Sequence, residues 1–121
     1  MRVNELRVGN YVKTKHQTKY IINSITKGGG WIELTDGFEL CDSDIDSIEP
    51  LTLTEELLLK CGFERFEFDN GQPNQYRLKN RLIVIRDNIF IDYGSNVKIY
   101  SLHQLQNLIH ALTNEELTIN L

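Results

Sequence analysis

The residues best suited to nucleophilic, acid–base or metal chemistry in this 121-residue chain are three histidines and two cysteines. His103 and His110 stand seven apart in LHQLQNLIHALT, a segment of helical periodicity. Two helical turns separate them by roughly 10 Å, too far for one metal ion that needs each nitrogen at about 2 Å, and His16 is remote in sequence. Cys41 and Cys61 share no Cys-x-x-Cys spacing and sit in apolar company, which reads as reduced, structural thiols. Asp42-Ser43-Asp44-Ile45-Asp46 begins like a calcium loop. Such a loop needs glycine sixth and glutamate twelfth, where this chain has Ser47 and Leu53. Gly28-Gly29-Gly30 leads into Trp31-Ile32-Glu33, a strand signal rather than the helix a phosphate cradle requires, so it reads as a hairpin tip. There is no nucleophile elbow, His-Glu-x-x-His or paired-acid motif. The chain therefore reads as non-catalytic, with no cofactor, no metal and no identified small-molecule substrate. An enzyme would need a site assembled from residues scattered in sequence.

Function is then expected on surfaces, and two segments qualify. From Ile99 to Asn114 there is no charged residue. Leu102, Leu105, Leu108, Ile109 and Leu112 make an apolar stripe, and His103, Gln106, Asn107 and His110 lie opposite it. Surface helices ordinarily carry Lys and Glu there. Either another part of the chain covers this face, or it contacts a protein partner or a second copy, since charge depletion marks interface cores. The second segment interleaves aromatics and bases: Tyr11, Lys13, Lys15, Lys19, Tyr20 and Trp31. That pattern suits single-stranded nucleic acid or an extended peptide, unless the aromatics, with Phe38, fill a core.

The elements that position these residues follow from periodicity and turn chemistry. Strands are expected over 9–15, 18–26, 31–34, 38–41 and 45–48, with an Asp36-Gly37 hairpin turn and a short turn or single helical turn at 42–44. Five short strands with tight turns suggest a small curled barrel. Pro50 marks a boundary. Thr54 caps a helix over 54–61 that starts with Glu55 and Glu56 and stops at Gly62. Alternation then predicts an antiparallel meander: 63–69, a loop at 70–74, and strands at 76–79, 82–86, 89–93 and 97–100. Ser101 caps a second helix, 102–113, ended by Asn114, and 116–121 reads as a terminal strand. The expected class is α+β: residues 1–50 a small barrel, residues 51–121 a helix–meander–helix subdomain. Whether the two pack as one unit stays open.

A resemblance spans nearly the whole chain in order: Leu6-Arg7-Val8-Gly9-Asn10-Tyr11-Val12, Ile48-Glu49-Pro50-Leu51-Thr52-Leu53-Thr54-Glu55-Glu56, Leu59-Lys60-Cys61-Gly62-Phe63, and 102–108 with 111–117. On these segments the chain resembles short uncharacterised proteins of phages and prophages of gut-type anaerobic bacteria. This implies a mobile-element origin and no assigned activity. The opening residues also resemble SH3-like small barrels, where Val-Gly-Asn/Asp-x-Val starts the first strand, a pattern that hosts many functions.

Composition agrees with a globular protein: 40% hydrophobic and 25% charged residues. No apolar run approaches the roughly 20 residues needed to span a bilayer, and Met1–Leu6 has no apolar signal core, so a cytoplasmic protein without membrane contact is expected. The net charge of −4 disfavours a general nucleic-acid binder. The charge is segregated. Arg2, Arg7, Lys13, Lys15, Lys19 and Lys27 precede residue 31, whereas Glu33, Asp36, Glu39, Asp42, Asp44, Asp46 and Glu49 follow with no base before Pro50. Cross-strand pairing explains this simply; a basic face for phosphates is the other reading.

Overall fold

The computed structural model describes residues 5–16, 18–26, 31–66 and 75–120. Among the described residues it is a mixed α+β structure with two five-stranded antiparallel sheets and two α-helices. The chain divides into two compact units: residues 1–52 with 101–114, and residues 53–100 with 115–121.

The first unit holds β1 (Tyr11–Thr14), β2 (Lys19–Ile25), β3 (Trp31–Thr35), β4 (Leu40–Asp44) and β5 (Ile48–Pro50), in the order β4-β3-β2-β1-β5. Its core is Leu6, Val12, Ile22, Ile32, Leu34 and Ile48, with Tyr20, Ile25 and Ile45 packed against it. These residues alternate along their strands with outward-facing ones, as a half-buried sheet requires. The chain enters β1 through the turn Arg7-Val8-Gly9-Asn10, closed by the Asn10 amide on the Arg7 carbonyl at 3.0 Å. Gly9 sits at φ +93°, a conformation that costs a side-chain-bearing residue about 1–2 kcal/mol. Helix α2 (Leu102–Thr113) completes the unit. A capping box of Ser101 and Gln104 starts it, and Asn114 in the left-handed region ends it.

The second unit opens with α1 (Glu55–Lys60), capped by the Thr54 hydroxyl, with Glu55 and Glu56 in its first turn and Lys60 in its last. Its sheet runs β10-β9-β8-β7-β6: β6 (Glu64–Phe66), β7 (Gln75–Leu78), β8 (Arg81–Arg86), β9 (Ile89–Asp92) and β10 (Lys98–Ile99). Asp87 and Asn88, both at positive φ, make the two-residue turn whose twist suits a hairpin. Tyr76 is buried and meets Phe90 edge-on, ring centroids 6.0 Å apart.

Several expectations are corrected. The first sheet is open, with β4 and β5 at its edges, so the five strands do not close into a barrel. The fourth strand is Leu40–Asp44 rather than 38–41. Asp36 accepts bonds from the Phe38 and Glu39 amides, and this extends the turn past Phe38. The short helical turn is Ile45–Ser47, capped by Asp44, and the fifth strand is Ile48–Pro50. Helix α2 belongs to the first unit, not to the second. Residues 115–120 form no strand; the Asn120 amide bonds the Lys60 carbonyl. The glycine hairpin tip and the 70–74 loop lie outside the described residues.

Leu34 is fully buried and Phe38 fully open on one hairpin. Leu34→Ala should cost about 2–5 kcal/mol, and Phe38→Ala less than about 0.5 kcal/mol. Urea unfolding followed by Trp31 fluorescence checks both.

Candidate functional site

The uncharged face of α2 is engaged within the first unit. Gln106 is buried, and its Oε1 accepts the Tyr11 amide at 2.8 Å while its Nε2 donates to the Gly9 carbonyl at 2.9 Å. The primary amide thus pairs with the edge of the entering strand as a backbone peptide group would. Asn107 works beside it. Its Oδ1 accepts from Asn10 Nδ2 at 2.8 Å and Arg7 Nε at 3.2 Å, and its Nδ2 donates to the Glu5 carbonyl at 2.9 Å. Asn10 is fully buried, and its Oδ1 accepts the Arg7 amide at 2.7 Å.

These bonds explain why the face is polar yet uncharged. Each position must both donate and accept, which Lys, Arg and ionised Glu cannot do. His103 is buried, with Nδ1 3.1 Å from the Ser101 hydroxyl. Burial holds its pKa below the ordinary histidine value, opposed by the charge of Glu5. His110 is half-buried. Of the four residues expected to contact a partner, Gln106 and Asn107 bind the chain's own N-terminal segment, His103 is inaccessible and His110 is half-buried.

The basic and aromatic residues do not form one surface either. Pairing places Lys13 opposite Lys19 on one side and Glu49 on the other. Tyr11, Lys13 and Lys19 alternate with the buried Val12 and core-packed Tyr20, so they share the outer face. Tyr20 points to the opposite, inner face, opposite Val12. Lys15 lies in the exposed turn after β1. Trp31 is on the outer face but across the sheet, opposite Asp44. Bases thus gather on β1 and β2 and acids on β3 and β4, where Glu33 faces Asp42.

A cleft of about 290 Å³ opens on the inner side of this sheet, lined by Lys15, His16, Tyr20, Cys41 and Ser43 among others. Cys41 is exposed and in hydrogen-bond contact with the Tyr20 phenol. Partial desolvation, with Cys41 and Asp36 adding to it, raises the pKa of that phenol. Cys61 is buried, and desolvation pushes its thiol up to about 11. Asp44, in the acidic run, accepts from the Ser47 amide and hydroxyl, which makes it a helical cap. Among the described residues no cluster of three or more His, Cys, Asp or Glu could hold a metal ion, and no helix is long and apolar enough to cross a membrane.

The Asp36-Gly37 hairpin was legible in the sequence; the outward exposure of its apolar side chains was not. Phe38 is 95% exposed, Leu40 60% and Trp31 58%. The signal was present in Asp36-Gly37-Phe38. An aspartate that caps the two amides after a glycine keeps Phe38 in the turn, away from any core. No protein-family model, curated protein or solved structure matches this chain.

Gln106→Leu leaves a strand amide and a carbonyl without partners, and should cost about 2 kcal/mol or more. Gln106→Glu should not rescue it, because a carboxylate cannot donate to the Gly9 carbonyl. Urea unfolding measures both. His103 gives a pH dependence whose sign is fixed. Its folded pKa is depressed, so its contribution is fully present above about pH 6.5 and is lost as pH falls through the folded value. Stability should drop below pH 6.5, and His103→Gln should flatten that drop, as seen by unfolding midpoints between pH 7 and pH 5.

Proposed function

We propose that the chain is a non-catalytic protein-interaction module of mobile-element origin that meets its partner through the β3–β4 hairpin of the first unit. The observation that carries this reading is the exposure of Trp31, Phe38 and Leu40 on one hairpin. Large exposed apolar side chains mark interaction sites, here Phe38 and Leu40 at the turn of the hairpin and Trp31 at its other end opposite Asp44, and aromatic anchors carry much of the energy of interfaces. The strand order, with a helical turn between β4 and β5, is in keeping with the SH3-like likeness of the opening residues. The mobile-element origin rests on the phage-protein resemblance alone.

Nucleic-acid binding is a second reading, with the shared outer face of Tyr11, Lys13 and Lys19 in its favour. Glu49 beside Lys13 and the net charge of −4 weaken it, because non-specific binding depends on neutralising phosphates.

A photo-crosslinking amino acid at position 38 or 40, in cells that encode the protein, should trap a discrete protein adduct. The same group at position 86, exposed on the second unit, should not. Equal yields at all three positions would reject the hairpin as the contact. Salt-sensitive trapping of oligonucleotides instead would favour the second reading.

A further inference from the structure

Strand β4 is an edge with an unusual combination of properties. Among the described residues it pairs with β3 alone, so one side of its backbone has no partner strand, although the Asp44 carbonyl accepts from the Ser43 hydroxyl. Four of its five residues are exposed. Natural edges of this kind are blunted by charge, proline or bulges, because they template pairing with another chain. On β4 and the adjoining part of β3 the blunting charges are all acidic, while Lys15 and His16 of the turn after β1 line the cleft beside Asp42 and Ser43. Asp42 and Asp44 lie on the outer face of β4, Glu33 faces Asp42 from β3, and Glu39 and Asp46 flank the strand. No Lys or Arg occurs from Trp31 to Pro50.

This pattern selects the occupant. Two copies of β4 paired edge to edge would bring two acidic strands side by side, and like charges on neighbouring strands are unfavourable. A second copy of the chain is therefore disfavoured. A strand carrying Lys or Arg on its outer face would place cations beside Asp42 and Asp44. The alternate, apolar residues of that strand would lie on the inner face beside Cys41 and Ser43. We infer that β4 binds an extended, basic and apolar segment of another protein by strand addition, which extends the first sheet to a sixth strand. This rests on the reading of the chain as an interaction module, and it names the partner's chemistry. Backbone bonds along β4 supply the sequence-independent part of such binding, and side chains supply selectivity. The facing pair Glu33–Asp42 lies on the outer face where those cations would sit.

The test uses the full chain and two peptides of about ten residues, roughly two strand lengths, one alternating lysine with valine and one alternating glutamate with valine. Amide hydrogen exchange read by NMR is the readout. The lysine peptide should slow exchange at outward-facing amides of Leu40–Asp44 and leave the β5 edge unchanged; the glutamate peptide should do neither. Binding should weaken as salt rises. Asp42→Lys with Glu39→Lys should lower affinity for the lysine peptide about tenfold. Neither side chain caps a helix, and Asp42→Lys turns the pair with Glu33 into an attractive one, so the fold is retained and unfolding midpoints verify it. Three results would overturn the inference: equal protection by both peptides, protection of β4 by dimerisation of the chain alone, or no protection of β4. If position 38 still traps a protein while β4 gains no protection, strand addition fails and the interaction module stands.

Discussion

The first unit depends on one polar junction, in which two consecutive amides of α2 bond the turn that leads into β1. Gln106 pairs with Tyr11 and Gly9, and Asn107 with Asn10, Arg7 and Glu5. The partners are about a hundred positions apart in the chain. Closing such a loop carries an entropic cost that grows slowly with length, and ordinary hydrogen bonds contribute about 1 kcal/mol each. A group of them with complementary donors and acceptors, built around a fully buried asparagine, gives one register and no near-equivalent. The glycine turn, the starting point of β1 and the seating of α2 all follow from that register.

The junction also accounts for the composition of the helix. A charge-free face is usually a sign of contact, and here the contact is intramolecular. An amide that both donates and accepts is the side chain that can satisfy a strand edge where β5 ends at Pro50, a residue with no amide hydrogen. The capping box at Ser101 then supplies the first turn without acids, so no charge is needed anywhere along the segment.

With α2 occupied, the surface chemistry of the unit moves to its sheet. The two faces differ in kind. The inner face holds the core and, beyond it, the cleft with Tyr20 and Cys41. The outer face is divided by strand, basic on β1 and β2 and acidic on β3 and β4. Cross-strand neutralisation is therefore limited: Lys13 meets Glu49, while Lys13–Lys19 and Glu33–Asp42 are like-charged. A sheet built only for stability would alternate these signs. The acidic, apolar-tipped edge that results pairs on one side only among the described residues.

Local rules determined a good deal by themselves. Helix α2 runs from Leu102 to Thr113 as periodicity, the Ser101 cap and Asn114 dictate, and α1 falls between Thr54 and Cys61. The meander of the second unit follows from turns too short for crossovers. These features are encoded within a few residues, so no distant partner could alter them. The choice between a covered and an open face on α2 was different in kind, because the same residues serve either purpose. Only the tertiary structure decided it, by bringing the Arg7–Asn10 turn against Gln106 and Asn107. It likewise decided the position of β4. The apolar letters of Phe38 and Leu40 suggested a buried strand there, but the paired one is the polar Leu40–Asp44, because β3 already fills the core with Ile32 and Leu34 and the Asp36 turn carries Phe38 outward. Hydrophobicity sets how many residues a core will take; which ones are left outside is settled by strand register and by turn bonds that join residues the core never touches.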